Sequence, residues 1–326
     1  MKRLFAAVVC LIAACLLACC SGAGNTQEKP IADETYEADE SVPAEKNASP
    51  ADEPQAYNPY DDSDYTVPED FDEQRQGVPY GEYVEGLTYY SSIIGKNKEY
   101  AVLFPPDYSN EETYPVIYAL HGFGGDHSSW SYIGTVFGNM IADGIATPAI
   151  IVMPDMWTDS RDIDDCDGYE QRASYDRFAD DLRDCLMPHI ESSYPVKIGR
   201  HNTAVIGLSQ GGTESLAIGF LLQDRIGSTA SLAPCPGVIP TEYYKGTFWN
   251  VPIMDDFVIE SEETTPDYLL LSIGSLDPWN IECTQYYDKV LTEKGIEHQY
   301  YMLDGAEHDR GLWAHSFYNF ARRIFK

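Results

Sequence analysis

The chain predicts an α/β fold, a mainly parallel twisted sheet flanked by helices, and two observations carry that prediction. The first is alternation. Short apolar runs at 100–104, 116–120, 149–153, 203–206, 268–273 and 299–303 have the composition of buried strands, with helical patterns between them. The second is Gly207-Leu208-Ser209-Gln210-Gly211, set between the run Thr203-Ala204-Val205-Ile206 and the helix-like stretch 212–218. A G-x-S-x-G that follows a strand and opens a helix is a nucleophile elbow: glycines clear the crowded turn, and the serine hydroxyl is presented at its tip.

The helical elements follow from spacing. Tyr175, Phe178, Leu182, Leu186 and Ile190 recur every three or four residues, which predicts one helix with a single apolar face over 175–190. Strands separated by such helices give a parallel sheet with helices on its faces. No fixed repeat is visible, and no second domain boundary stands out in the 326 residues.

The first segment reads differently. Met1-Lys2-Arg3 and the apolar run 4–17 have the anatomy of a secretory signal peptide. Leu16-Leu17-Ala18-Cys19 resembles a bacterial lipobox, with Cys19 as the lipidation site. Ile12-Ala13-Ala14-Cys15 fits nearly as well, and an ordinary leader cut near Ala23 is the plainer alternative. From Glu28 to Arg75 the chain carries 16 Asp and Glu against three Lys and Arg. Such a stretch buries too little apolar surface to offset its ordering entropy. The expected organisation is therefore a leader over 1–19, a disordered acidic tether over 20–79 and a catalytic domain over 80–326. The protein is expected at the bacterial cell surface, held to the membrane by a lipid anchor only, or else secreted. A formal charge of −32 argues against nucleic-acid partners.

Eight cysteines are present, four of them in or directly after the leader. Cys166, Cys185, Cys235 and Cys283 lack the C-x-x-C spacing of zinc sites, and either disulfides or buried free thiols fit them. Asp162-Ile163-Asp164-Asp165-Cys166-Asp167-Gly168 invites a calcium reading. In the EF-hand register, however, the first and twelfth ligands would be Ile163 and Ser174, so a solvated acidic loop is expected and no metal.

A serine nucleophile needs a base, and the base needs a carboxylate to orient it. Behind an elbow these follow in the order acid, then histidine, each just past a strand. Gly274-Ser275-Leu276-Asp277-Pro278-Trp279 follows one strand and Asp304-Gly305-Ala306-Glu307-His308 the next. Asp277 and His308 are thus the expected partners of Ser209. Asp255, Asp256 and Asp304 are rival acids, while His189, His201, His298 and His315 do not sit at carboxyl strand ends. His121-Gly122-Phe123-Gly124-Gly125 supplies one oxyanion donor, the N–H of Phe123 or else of Gly122. The N–H of Gln210 supplies the other, and His121 is a structural residue below the site. Trp279, Trp313, Trp130 and Trp157 flank these loops and are candidates to stack on a sugar or phenolic group.

Several segments together make the chain similar to a known family: Thr88-Tyr89-Tyr90-Ser91, Phe104-Pro105-Pro106-Asp107-Tyr108, Tyr114-Pro115-Val116-Ile117-Tyr118, the His121–Gly125 loop, Trp130, the elbow, and Gly305 with His308 and Trp313. They resemble carbohydrate esterase family 1, the feruloyl and acetylxylan esterase group, related to the esterase D and enterochelin esterase types. The resemblance implies an α/β-hydrolase fold and a serine esterase that needs neither metal nor cofactor. It also implies a feruloyl or acetyl ester, often on a plant cell-wall polysaccharide such as xylan. Gln210 departs from the family, which usually has Met after the serine, and this places a polar side chain near the expected acyl group. Rival readings are a siderophore esterase, an acyltransferase and, outside enzymes, a catalytically silent carbohydrate-binding module.

Overall fold

A computed structural model describes residues 57–326. The leader, Cys19 and the part of the acidic tether before residue 57 lie outside the described residues. Eight strands among the described residues form one sheet: β1 (Tyr83–Ser91), β2 (Lys96–Leu103), β3 (Val116–Leu120), β4 (Ile150–Pro154), β5 (Thr203–Leu208), β6 (Ser228–Leu232), β7 (Tyr268–Gly274) and β8 (Gln299–Leu303). Their order is β1-β2-β4-β3-β5-β6-β7-β8. β2 is antiparallel to both β1 and β4, and from β4 to β8 every pair is parallel. This is the α/β-hydrolase architecture.

Side chains alternate between the two faces of this sheet, as the pleat demands. Ile117, Ala119, Ala204, Ile206, Leu208 and Leu270 enter one core, where helices α1 (Ile133–Ala142) and α7 (Arg310–Ala321) cover the sheet. Val116, Tyr118, Leu120 and Val205 enter the opposite core. The helical run on that face comprises α2 (Gly168–Asp176), α3 (Phe178–Asp181), a wide π turn at Leu182–Leu186 and α4 (Met187–Ser193). Helices α5 (Gln210–Leu221) and α6 (Ile281–Glu293) enclose a third core with β7.

The helix expected over 175–190 is present as these successive pieces. Tyr175, Phe178, Leu182, Leu186 and Ile190 are all buried, so the apolar face survives. Pro188 lacks an N–H and would leave the Asp184 carbonyl without its helical donor; the widened turn lies directly ahead of it. Two strands have no counterpart among the expected apolar runs. β1 is an edge strand with exposed positions. β6, Ser-Thr-Ala-Ser-Leu, is half polar in composition yet wholly buried. Its Ser231 hydroxyl donates to the Gly212 carbonyl (2.7 Å), and the Ser215 hydroxyl donates to the Ala230 carbonyl (2.8 Å).

The folded unit also begins earlier than residue 80, correcting the boundary at 79. Residues 57–79 run along the face covered by α1 and α7, and Tyr60, Tyr65, Val67 and Phe71 pack against its core. The Tyr65 ring stacks on Tyr301 at 4.3 Å, with the Arg323 guanidinium 4.9 Å from its centre. Arg323, almost fully buried, donates to the carbonyls of Asp62 (2.9 Å) and Asp64 (2.7 Å). The acidic average of the segment masks these few anchors. In the acidic loop, Asp167 caps α2 by accepting from the N–H groups of Tyr169 and Glu170. The four cysteines described are free, buried thiols.

Tyr65→Ala should cost about 2 kcal/mol and lower Tm by roughly 4–8 °C, read by thermal unfolding of the full chain. An unchanged Tm would mean the segment is a detached tether after all.

Candidate active site

The carboxyl ends of β3, β5, β6, β7 and β8 meet along one edge of the sheet, and the candidate residues emerge there. At the elbow Ser209 adopts φ 56° and ψ −119°, a conformation that L side chains rarely take. Close approach explains the glycines. A Cβ on Gly207 would sit 1.9 Å from the Gly211 carbonyl oxygen, and one on Gly211 would sit 2.4 Å from the oxygens of both Leu120 and His121. The turn is pinned by the Ser209 N–H, which donates to the Leu232 carbonyl (2.8 Å).

Past β7, Asp277 is almost completely buried. One carboxylate oxygen accepts from the N–H groups of Trp279 and Asn280, both at 2.9 Å, and the other meets His308 Nδ1 at 2.5 Å. Burial works to raise the Asp277 pKa, but the His308 bond and the two amides outweigh it and hold the carboxyl below its ordinary range. An acceptor on Nδ1 leaves Nε2 of His308 free to take a proton. The rings of Trp279 and Trp313 meet the imidazole edge-on at 5.3 and 4.9 Å. Asp304, a rival acid, instead accepts from Ser275 (3.2 Å), and His315 bonds Tyr301 (3.1 Å).

Ser209 and His308 line one cavity of about 320 Å³, with Cys235, Pro236, Tyr244, Trp249, Trp279 and Asn280. The Ser209 hydroxyl is turned toward Cys235 Sγ, 3.7 Å away, rather than hydrogen-bonded to the His308 ring. A Cβ on Gly122 would lie 3.4 Å from Ser209 Cβ, so the loop after β3 runs beside the nucleophile position. His121 Nδ1 donates to the Gly122 carbonyl (2.7 Å) while its Nε2 accepts from the Met156 N–H (2.9 Å). Those two bonds use both ring nitrogens structurally. Gly124 N–H donates to Tyr175 Oη (2.9 Å), and the Phe123 ring packs on Tyr175 and Trp249 at 5.4 and 4.9 Å. Among the described residues the Phe123 N–H has no acceptor. The Gln210 N–H, first in α5, has none within its helix.

Three expectations for side chains are corrected. Trp130 is fully buried and donates its indole N–H to the Leu120 carbonyl (2.9 Å), so it braces the loop from beneath and touches no substrate. Trp313 is buried behind the imidazole and supports it. Gln210 does not reach the cavity: its side chain is buried and donates to Glu214 (2.7 Å). Trp279, 59% exposed, remains at the cavity mouth. Trp157 is half-buried against Tyr175 and donates to the Arg161 carbonyl. Cys235, Pro236, Tyr244, Trp249 and Asn280 were not foreseen as site residues. They lie between the strands and long helices, Trp249 on a single 3-10 turn and Asn280 at the start of α6, where the only sequence signal is the aromatic density of Tyr243-Tyr244 and Phe248-Trp249.

The Esterase family model matches residues 91–324. A ferulic acid esterase of carbohydrate esterase family 1 from Anaeromyces mucronatus is 30% identical, superposes with a TM-score of 0.72 and covers 80% of this chain and 97% of its own. Its complex with ferulic acid matches at 29% identity and a TM-score of 0.69, with the same coverage. A curated endo-1,4-beta-xylanase/feruloyl esterase of Xylanibacter ruminicola is 26% identical over 266 residues, or 79% of this chain. The chain spans about a third (33%) of that relative's length.

Trp130→Ala should cost about 3–5 kcal/mol in thermal or denaturant unfolding, whereas Trp279→Ala should stay within about 0.5 kcal/mol of the parent. Equal costs would contradict the division between brace and cavity wall.

Proposed function

We propose, for a chain that belongs to the Esterase family and within it to carbohydrate esterase family 1, and so is a carboxylic-ester hydrolase, that it cleaves feruloyl-type esters by a Ser209–His308–Asp277 mechanism. The observation that carries this reading is the aromatic-walled cavity into which Ser209 and His308 open together. Tyr244, Trp249, Trp279 and Pro236 offer flat apolar faces to a planar phenolic acyl group. An acetyl group would leave most of that volume empty.

The chemistry follows from the groups in place. A turn about the Ser209 Cα–Cβ bond takes its hydroxyl from Cys235 toward the imidazole. Ser209 Oγ then attacks the ester carbonyl while Nε2 of His308 takes its proton. Asp277, held on Nδ1, stabilises the imidazolium without itself becoming protonated. The developing oxyanion is received by the N–H groups of Phe123 and Gln210, with Gly122 as the alternative to Phe123. Collapse returns the proton to the leaving alcohol and leaves an acyl-serine, which water hydrolyses by the same route in reverse. The leaving alcohol is proposed to be a xylan-type polysaccharide, in keeping with the xylanase/feruloyl esterase likeness. The leader and its Cys19 lipobox support export and a lipid anchor as the location.

Ser209→Ala should lower kcat on methyl ferulate by at least about 10³-fold, and Asp277→Asn by about 10⁴-fold, with folding intact by circular dichroism. Near-parent turnover in the serine variant ends the mechanism. Faster release of acetate from acetylated xylan than of ferulate from its methyl ester ends the acyl assignment.

A further inference from the structure

Glu214 lies one turn into α5 and is completely buried, and the catalytic steps above do not use it. Its Oε1 accepts from the Gln210 side-chain amide at 2.7 Å. Its carboxyl lies beside that of Asp176 on α2. Glu214 Oε2 has no hydrogen-bond partner among the described residues. Two adjacent carboxyls at a buried site escape mutual repulsion only if one of them keeps its proton. Asp176 in turn accepts from Arg172 Nε at 2.6 Å. The remaining guanidinium donors, equally buried, reach the carbonyls of Pro236 (3.0 Å), Gly237 (3.1 Å) and Trp249 (3.3 Å). Pro236 and Trp249 are cavity walls. Gln210 carries the proposed oxyanion donor.

We infer that Arg172, Asp176, Glu214 and Gln210 form a buried positioning network that ties the acyl wall to the oxyanion donor, and that it holds its geometry only while one proton stays on the carboxyl pair. The inference rests on the serine mechanism above. The charge count supports it: one guanidinium, one carboxylate and one carboxylic acid sum to zero, whereas losing the proton leaves two carboxylates and one cation around a fully buried Glu214. The groups facing Glu214 are Arg172, Asp176 and Tyr175 from α2 and Gln210 from its own helix; Arg177 lies beyond Asp176, and Cys235 beyond Arg172. Burial first, then the Asp176 charge, push the Glu214 carboxyl up to about 8, with Arg172 and Gln210 opposing. Asp176 is also raised, by burial, against the pull of Arg172.

The sign of the pH effect follows. Between the ordinary carboxyl range near pH ~4.3 and about 8, the folded protein holds a proton that the unfolded chain releases. Stability from this group is therefore complete at low pH, falls as pH rises through that window and is flat above it.

The test compares the full-length parent with Glu214→Gln and Asp176→Asn. In Glu214→Gln the side chain still accepts from Gln210 and presents an amide donor on the Asp176 side but cannot ionise. In Asp176→Asn the repulsion is removed from the other side, so either variant suffices if its companion does not fold. Expected are a kcat within about threefold of the parent at pH 7 for Glu214→Gln, and an alkaline limb of the kcat profile moved up by at least about one pH unit in each folded variant. Glu214→Gln should also lose the parent's decline of Tm between pH 5 and 8, and Asp176→Asn should weaken it. Superimposable kcat profiles from pH 7 to 10 would overturn the positioning role, and superimposable Tm curves would overturn the retained proton. The Tm curves need no turnover, and failure of the serine mechanism itself shows separately, as turnover in Ser209→Ala.

Discussion

The site depends first on how tightly the chain turns between β5 and α5. A serine at φ 56° carries strain on the order of 1–3 kcal/mol, which persists only where the surroundings over-determine it. Here they do so by contact. Gly211 lies against the carbonyls of Leu120 and His121, and a Cβ on Gly212 would meet the Leu232 carbonyl at 2.7 Å. The turn is therefore wedged between the ends of β3 and β6, and those two strands deliver the loop bearing Phe123 and the wall bearing Cys235. One steric fit sets the distance from the nucleophile to everything around it.

The imidazole is held by a different means. Asp277 fixes its tautomer, and two indoles fix its plane, one buried behind it and one exposed at the cavity mouth. Because the buried indole takes no part in binding, the open face of His308 is left to Ser209 and a substrate. The loop after β3 is braced in the same manner, with Trp130 beneath it and both nitrogens of His121 committed to backbone groups. Aromatic mass around this site thus divides into a rigid frame and a small contacting surface.

That division explains what the sequence made legible. Ser209, Asp277 and His308 were readable because each follows an apolar strand, and strand ends are marked by composition. β6 escaped because buried hydroxyls satisfied by neighbouring carbonyls read as a loop. The roles of Trp130 and Trp313 were unreadable because a tryptophan in a motif looks the same whether it faces the cavity or the core. Residues 57–79 misled for a related reason. Net charge averaged over a segment conceals a few well-spaced rings, and Tyr60, Tyr65 and Phe71 are enough to lay it on the domain. The cavity walls on the loops carrying Cys235, Tyr244 and Trp249 had no periodicity to announce them.

Gln210 joins these threads. A polar side chain directly after the nucleophile suggests, from sequence, a contact with the acyl group; folded, it turns inward to Glu214. A buried amide needs a partner, a buried carboxyl beside another needs a proton, and the pair needs a cation to balance it. Arg172 meets the last need, and its remaining donors hold the loop carbonyls behind the cavity. The departure from the family pattern at one position is thus matched by Glu214 one turn along the same helix and by Arg172 and Asp176 on α2. Its consequence is carried to the cavity wall through the Glu214–Asp176 contact and the Arg172 hydrogen bonds, and requires no contact between Gln210 and substrate.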